Sequence, residues 1–314
     1  MIDKIFSELE NELNSKLDFL DDKPEESVVS TLKACWFTAS GLPKSAEEAL
    51  KFPLPELTET QIKMLHLLLD KRLENIPLAY ITGRQNFMGI ELLADKRALI
   101  PRKETEILGR KALEISEFLA KDKPHLQIMD ICCGAGNLGL AIAFYNPNVQ
   151  IHATDLSGEA IELTKENISF LGLNKRVLAE QGDLFSSFDK KKYFGKMDMI
   201  VCNPPYISSG KVSKMNSEIL DYEPSLAFDG GMFGTKIIQK LITEAPEFLA
   251  NEGWLLFEVG RGQGEFLIRL CEESNHYKNV DSVSDANNNI RVIVAQKKIP
   301  GTLLKPHVIE CMNS

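Results

Sequence analysis

Leu126-Gln127-Ile128-Met129-Asp130-Ile131-Cys132-Cys133-Gly134-Ala135-Gly136-Asn137-Leu138-Gly139 is the stretch on which the fold turns. Leu126 to Ile131 reads as a short parallel-type strand, and the glycines after it fall at the G-x-G-x-x-G spacing. The spacing predicts a strand, a tight turn and a helix start, with glycines where the backbone approaches a ligand and where the helix packs on the sheet. Alone the pattern is weak, and its next element sharpens it. A second strand, Val149 to Thr154, ends at Asp155, nineteen residues after Gly136. A carboxylate there can accept both hydroxyl protons of a ribose. A third strand, Arg176 to Glu180, leads to Gly182-Asp183-Leu184-Phe185. This turn offers a carboxylate for an exocyclic amino group and apolar side chains for an adenine face, although an ordinary turn aspartate is the blander reading of Asp183. Together these residues predict a nucleoside-bearing cofactor.

A fourth strand, Met197 to Cys202, stops at Asn203-Pro204-Pro205-Tyr206. Each proline fixes its own φ and keeps the preceding residue out of the helical region, so Asn203 is held extended at the carboxyl end of a buried strand. A rigid carboxamide accepts from an N–H and donates to a C=O at once, which complements another planar amide or an amino-substituted heterocycle. Tyr206 is expected to add an aromatic wall. The residues after the glycine-rich turn form one adenosine-sized set, Asp155 and Asp183, with no second glycine-rich turn for another nucleotide. That favours S-adenosylmethionine over a dinucleotide.

At this point the chain resembles the class I S-adenosylmethionine methyltransferases, and more closely the HemK/PrmC family of protein-glutamine methyltransferases. The resemblance rests on Pro77-Leu78-Ala79-Tyr80-Ile81-Thr82-Gly83 with Phe87 and Gly89, on Leu99-Ile100-Pro101-Arg102 with Glu104-Thr105-Glu106, on the glycine-rich turn, on Asn203 to Tyr206, and on Glu223-Pro224 followed by Gly230-Gly231. It implies a doubly wound α/β sheet of the class I, Rossmann-like kind, ending in an antiparallel strand pair and preceded by a small helical bundle. It implies that S-adenosylmethionine is held by Asp130, Cys132, Cys133, Gly134, Ala135, Gly136, Asp155 and Leu156, with Asp183 and Leu184 flanking its adenine and Asn203 nearby. Asn203, Pro204, Pro205 and Tyr206 would hold the target amide, and Arg102, Glu104, Glu106 and Glu223 are candidate substrate or loop-ordering residues, each with an ordinary ion pair as the alternative. The implied partner is a peptide-chain release factor, methylated on the glutamine of its Gly-Gly-Gln tripeptide. Three positions depart from the family pattern: Cys132 stands where a glycine is usual, Cys133 where a small or hydroxyl residue is usual, and Leu184 where an aromatic is frequent.

Other readings are open at this stage. The Asn203 site suits an exocyclic amino group of a flipped nucleic-acid base equally well, and a small amide or another protein glutamine is also compatible, since fold alone does not fix substrate. A non-catalytic module is disfavoured by the intact Asp155, Asp183 and Asn203 to Tyr206. Net charge is −9, and residues 1 to 30 carry nine acids against three bases. No basic stripe is visible that would displace phosphate counterions, so no stable nucleic-acid partner is expected. No apolar run reaches the ~20 residues of a membrane span, and the start lacks the basic and apolar blocks of a secretory signal. The chain is expected to be a cytoplasmic monomer. The six cysteines include no C-x-x-C pair and the five histidines are scattered, so neither disulfides nor a metal site is expected.

Ile2, Ile5, Phe6, Leu9, Leu13, Leu17 and Leu20 share one helical face, and Val28, Val29, Leu32, Trp36 and Ala39 continue the habit up to Gly41. Thr58-Glu59-Thr60-Gln61 is a capping box that opens a further helix toward Asn75-Ile76-Pro77. These segments predict an N-terminal helical docking domain over residues 1–76. Tyr80-Ile81-Thr82 and Ile90 to Leu93 predict a β-hairpin linker over 77–103. Residues 104–298, opening with a helix from Glu104 to Ala120, are assigned to the methyltransferase domain, and 299–314 to a polar tail.

Overall fold

The structure, a computed structural model, describes residues 2–207, 210, 217–228 and 234–299. Ser208, Ser209, Lys211 and Val212 after the asparagine motif, Gly230-Gly231, and the tail beyond 299 with Cys311 lie outside the described residues.

At the N-terminus, helices Ile2–Asn14, Val28–Ala39, Ala46–Leu50 and Glu59–Leu73 pack around Leu9, Leu13, Leu32, Trp36, Leu65 and Leu69. The Trp36 indole, buried among them, donates to the Pro55 carbonyl at 2.8 Å, as a buried N–H must find a partner. The first helix stops at Asn14, before the predicted stripe ends, because Asn14 and Ser15 are poor helix formers. Leu17 still packs against the bundle from outside the helix. The capping box forms as read, with Thr58 and Gln61 exchanging side-chain and backbone bonds, and Ser27 and Ser30 make a second one.

One predicted element changes type. Tyr80-Ile81-Thr82, read as a hairpin arm, belongs to a short helix, Leu78–Thr82. Pro77, at φ −54°, directs the chain into it, the Thr82 hydroxyl donates back to the Leu78 carbonyl at 3.1 Å, and Gly83 closes it at φ +65°. A left-handed residue after the last turn is the common way to end a helix, and glycine takes it without a Cβ clash. The hairpin follows instead, β1 (Arg84–Phe87) pairing antiparallel with β2 (Ile90–Leu93). The next helix begins at Glu106 rather than Glu104, with Thr105 in the cap position.

The remaining strands are β3 (Leu126–Ile131), β4 (Val149–Asp155), β5 (Val177–Gln181), β6 (Met197–Cys202), β7 (Leu249–Glu258), β8 (Tyr277–Ser284) and β9 (Ile290–Lys297). They form a seven-stranded sheet in the order β5-β4-β3-β6-β7-β9-β8. Pairs among β3 to β7 are parallel, and β9 pairs antiparallel with both β7 and β8. The doubly wound sheet with a closing antiparallel pair is therefore present. Helices Glu106–Ala120, Asn137–Tyr145 and Gly158–Phe170 cover one face through Leu108, Ile142 and Ile168, and Lys236–Phe248 and Gly264–Glu273 cover the other through Ile238, Leu241 and Leu267. Burial on both faces explains why the central strands read as continuous apolar runs rather than alternating ones. Strand order reverses between β3 and β6, and a doubly wound sheet opens its ligand crevice beyond the carboxyl ends of the strands at such a reversal.

Candidate active site

A cavity lies at that reversal, lined by residues from the ends of β3, β4, β5 and β6 and by the segments around Pro101 and Pro224. Its first wall is the glycine-rich turn. Cys132 leaves β3 at φ +58°, a left-handed conformation that favours glycine, so this cysteine adopts a backbone that glycine takes more readily. Cys133 N–H then bonds the Thr154 carbonyl at 3.0 Å, and the Thr164 hydroxyl donates to the Gly134 carbonyl at 2.7 Å.

Asp155 is held from two sides, its Oδ2 accepting Gly134 N–H at 2.9 Å and its Oδ1 accepting Ser157 N–H at 2.9 Å. Burial raises its pKa above the ordinary carboxylate value, and the N–H bonds from Ser157 and Gly134 oppose the rise. A carboxylate has about four lone-pair sites, so acceptor capacity remains for two further donors. Asp130 plays another part. Its Oδ2 accepts Gly139 N–H at 2.8 Å, its Oδ1 is buried without a partner, and it does not line the cavity. A Cβ at Gly139 would sit 2.9 Å from Asp130 Oδ2 and 2.8 Å from Ile151 Cγ2, so the helix approaches the strand this closely only with glycine there. Burial pushes the Asp130 carboxyl up to about 7.

Of the sequence-predicted cofactor residues, Cys132, Cys133, Gly134, Asp155, Leu156, Asp183, Leu184 and Asn203 line the cavity, whereas Asp130, Ala135 and Gly136 support it from behind. Ala135, for example, is buried and gives its carbonyl to the Asn167 side chain. Asp183 pairs with Lys240 at 2.8 Å on the exposed rim.

The second wall carries the asparagine motif. Asn203 and Pro205 line the cavity, and Pro204 and Tyr206 do not. Asn203 Nδ2 donates to Thr105 Oγ1 at 3.2 Å, while its Oδ1 is buried with no partner. Tyr206 is not among the residues lining the cavity, and its hydroxyl donates to Glu258 Oε1 at 2.9 Å. A buried phenol needs such a partner, and burial together with the Glu258 charge raises the Tyr206 pKa well above its ordinary value. No aromatic ring lines the cavity among the described residues.

Among the four charged candidates, only Arg102 lines the cavity. It is bound to Glu223 Oε1 at 2.5 Å and to Asp22 Oδ2 at 2.9 Å. Glu223 Oε2 also accepts Ile100 N–H at 3.0 Å, which ties down the segment whose Pro224, Leu226 and Ala227 close the cavity. Glu104 pairs with Arg291 at 2.9 Å and Arg261 at 3.3 Å, and Glu106 with Lys103, Arg110 and Met88 N–H. Thr105, Glu258 and Arg291 were not among the predicted site residues. One signal for Glu258 was available: a carboxylate follows the apolar run Trp254 to Phe257 at the end of β7, and the pairing of Cys202 with Phe257 sets it level with Asn203.

Fold and site together define a class I methyltransferase. The methyltransferase small domain family matches residues 112–222. A "Release factor glutamine methyltransferase" of Thermodesulfovibrio yellowstonii is 34% identical over 77% of this chain and 84% of its own length. A protein of the same description from Bacillus cereus is 34% identical over 77% of this chain and 83% of its own. The chain belongs to the release factor glutamine methyltransferase family. Among solved structures, a methyltransferase from Pyrococcus furiosus is similar at 17% identity and a TM-score of 0.48, over 74% of this chain and 98% of that chain. Among the described residues, no helix is long and apolar enough to cross a membrane.

Proposed function

We propose that the cavity takes S-adenosylmethionine at its glycine-rich end and the side-chain amide of a protein glutamine at Asn203, and that the substrate is a peptide-chain release factor methylated on its Gly-Gly-Gln glutamine. The observation that carries this reading is that Asn203, whose Oδ1 is buried and has no partner, lines the same cavity as Asp155. A buried acceptor without a partner costs about 1–3 kcal/mol, and a substrate N–H bound there recovers it. The spare acceptor sites of Asp155 fit the two hydroxyls of a ribose. The relatives' description supports the substrate class.

S-adenosylmethionine supplies an electrophilic methyl group. An amide nitrogen is a poor nucleophile because its lone pair is delocalised into the carbonyl, so the protein's task is placement. Asn203 Oδ1 accepts an amide N–H bond and orients the nitrogen, while Pro205 limits its movement. Positioning of this kind lowers a barrier by roughly 7–11 kcal/mol, so no strong base is required and water takes the proton. Residues 1–76 serve as the docking unit, 77–103 as linker and 104–298 as catalytic unit. Docking of the remote unit would offset the entropy of holding a flexible glycine-flanked loop. Mass spectrometry of a purified release factor incubated with the enzyme and S-adenosylmethionine tests the assignment. The expected result is one added methyl on the Gly-Gly-Gln glutamine. An unmodified factor, with methylation of nucleic acid instead, would overturn the substrate.

A further inference from the structure

Four charged side chains are buried together where the N-terminal helices meet the wall of the cavity. Lys23 and Glu26 lie in the loop after the first helix, Arg72 near the end of helix Glu59–Leu73, and Glu218 in the short helix Ser217–Tyr222. Lys23 Nζ is 2.5 Å from Glu218 Oε1, Arg72 Nη1 is 3.1 Å from Glu218 Oε2, and Arg72 Nη2 is 3.2 Å from Glu26 Oε2. These side chains are between 1% and 6% exposed. Desolvation offsets most of the attraction in such a cluster, and apolar residues of similar volume would hold two surfaces together at least as well. What the charges add is geometry. Each Glu218 oxygen takes a different cation, and the two cations come from different elements. The carboxylate therefore cannot shift along the interface without leaving a buried charge unpaired, which is far more costly than losing an apolar contact.

The chain that Glu218 begins is a wall of the cavity. Pro224, Leu226 and Ala227 line it. The Tyr222 hydroxyl donates to the Glu74 carbonyl at 3.3 Å, Glu223 holds Arg102 and Ile100 N–H, and the Phe228 carbonyl accepts Ile207 N–H at 3.0 Å. Ile207 directly follows the asparagine motif. The wall is thus fixed at one end by the N-terminal helices and at the other by the segment that carries Asn203. The loop over residues 22–26 reaches the same wall twice more. Asp22 Oδ2 is 2.9 Å from Nε of Arg102, which lines the cavity. Glu25 Oε1 accepts Gln85 Nε2 at 2.9 Å, and the same nitrogen donates to the carbonyl of Pro101, another lining residue, at 3.2 Å.

We infer that Asp22, Lys23, Arg72 and Glu218 are positioning residues that hold Arg102 and the 218–228 wall against the target-amide end of the cavity, so that residues 1–76 build part of the site as well as dock the substrate. The inference rests on the reading of the Asn203 end as the place of the target amide. A surface used for docking alone acts on how tightly the substrate is held. A surface that sets a cavity wall acts on the rate once the substrate is bound, because placement of the reacting atoms governs that step.

The test uses the full-length double variant Lys23→Met with Glu218→Gln, together with Lys23→Arg and Asp22→Asn, a purified release factor and labelled S-adenosylmethionine. Single-turnover rate at saturating factor, KM for the factor and cofactor affinity are measured for each, below its thermal midpoint. The double variant removes one charge of each sign, so Arg72 keeps Glu26 and no buried charge is left alone. It is expected to fold and to lower the rate ~10- to 100-fold, with cofactor affinity within about threefold of wild type. Lys23→Arg keeps the cation and is expected to retain most of the rate. A folded double variant whose rate lies within about threefold of wild type would overturn the inference, and a loss confined to KM would assign the loop to docking alone. Rate and cofactor affinity falling together would also overturn it, since that marks a disturbance of the whole fold. Should the double variant fail to fold, Asp22→Asn decides. It frees Arg102 from one carboxylate at a half-exposed position, and a rate loss of ~3- to 10-fold supports the inference while an unchanged rate overturns it. A wild-type protein that leaves the factor unmodified would overturn both this inference and the proposed function.

Discussion

At the glycine-rich end of the cavity, the groups that hold Asp155 come from Gly134 and Ser157, 21 and 2 residues away. At the asparagine end, Asn203 bonds a residue 98 positions away, Tyr206 one 52 away, Arg102 one 121 away, and Glu104 one 187 away. The first end is a strand, turn and strand whose geometry is set by backbone N–H groups close in the chain. The second is set by side chains from separate elements, each positioned only when helix Glu106–Ala120, β6, β7 and β9 have packed together. A locally built site tolerates change elsewhere in the fold, whereas a site assembled from distant side chains depends on its supporting contacts for orientation.

If the two ends divide the labour in this way, Asn203→Ala is expected to give the largest effect. Its single-turnover rate should fall by about 100-fold or more, because the lost contacts align the target, while cofactor affinity changes by only a few-fold. Equal losses in both quantities would erase the distinction between the ends. A smaller effect is expected from Asp130→Asn, which tests whether the support behind the glycine-rich turn is structural. Burial raises Asp130 to about 7 from an ordinary 3.8. The folded state thus favours the protonated form, and this group's contribution to stability is complete below pH ~4 and is lost as the pH rises through ~7. Asparagine keeps an acceptor for Gly139 N–H and carries no charge. Relative to wild type, the variant should therefore gain at least about 1 kcal/mol of stability between pH 5 and pH 8. Denaturation curves at the two pH values measure it, and parallel pH dependence in the two proteins would remove the buried charge from the account.

The same division explains what could be read from the sequence. Leu126 to Ile131, the glycine spacing, Asp155 and Met197 to Cys202 are local patterns, and the strands stand within a residue of where they were predicted. Asn203 was legible as a rigid amide because its prolines are its neighbours. The partner of Tyr206 was not legible, since nothing adjacent shows that its hydroxyl is committed to Glu258. Thr105 sat inside a recognised stretch, and only the position of β6 beside the helix Glu106–Ala120 shows that its hydroxyl meets Asn203. Tyr80-Ile81-Thr82 failed for a local reason, since β-branched and aromatic residues suggest a strand while Pro77 and Gly83 bound a five-residue helix.

A double-mutant cycle between Asp155→Ala and Asn203→Ala tests the central claim most directly, with cofactor affinity by calorimetry and methyl-transfer rate to the release factor measured for all four proteins. Asp155→Ala alone is expected to cost about 1.5–3 kcal/mol in cofactor affinity, the value of a hydrogen bond to a charged group. The double variant should show that same affinity loss together with the rate loss of Asn203→Ala alone, with a coupling below ~0.5 kcal/mol in each quantity. A coupling above about 1 kcal/mol, or a cofactor affinity set by Asn203 rather than by Asp155, would contradict the assignment of cofactor and target to separate ends of the cavity.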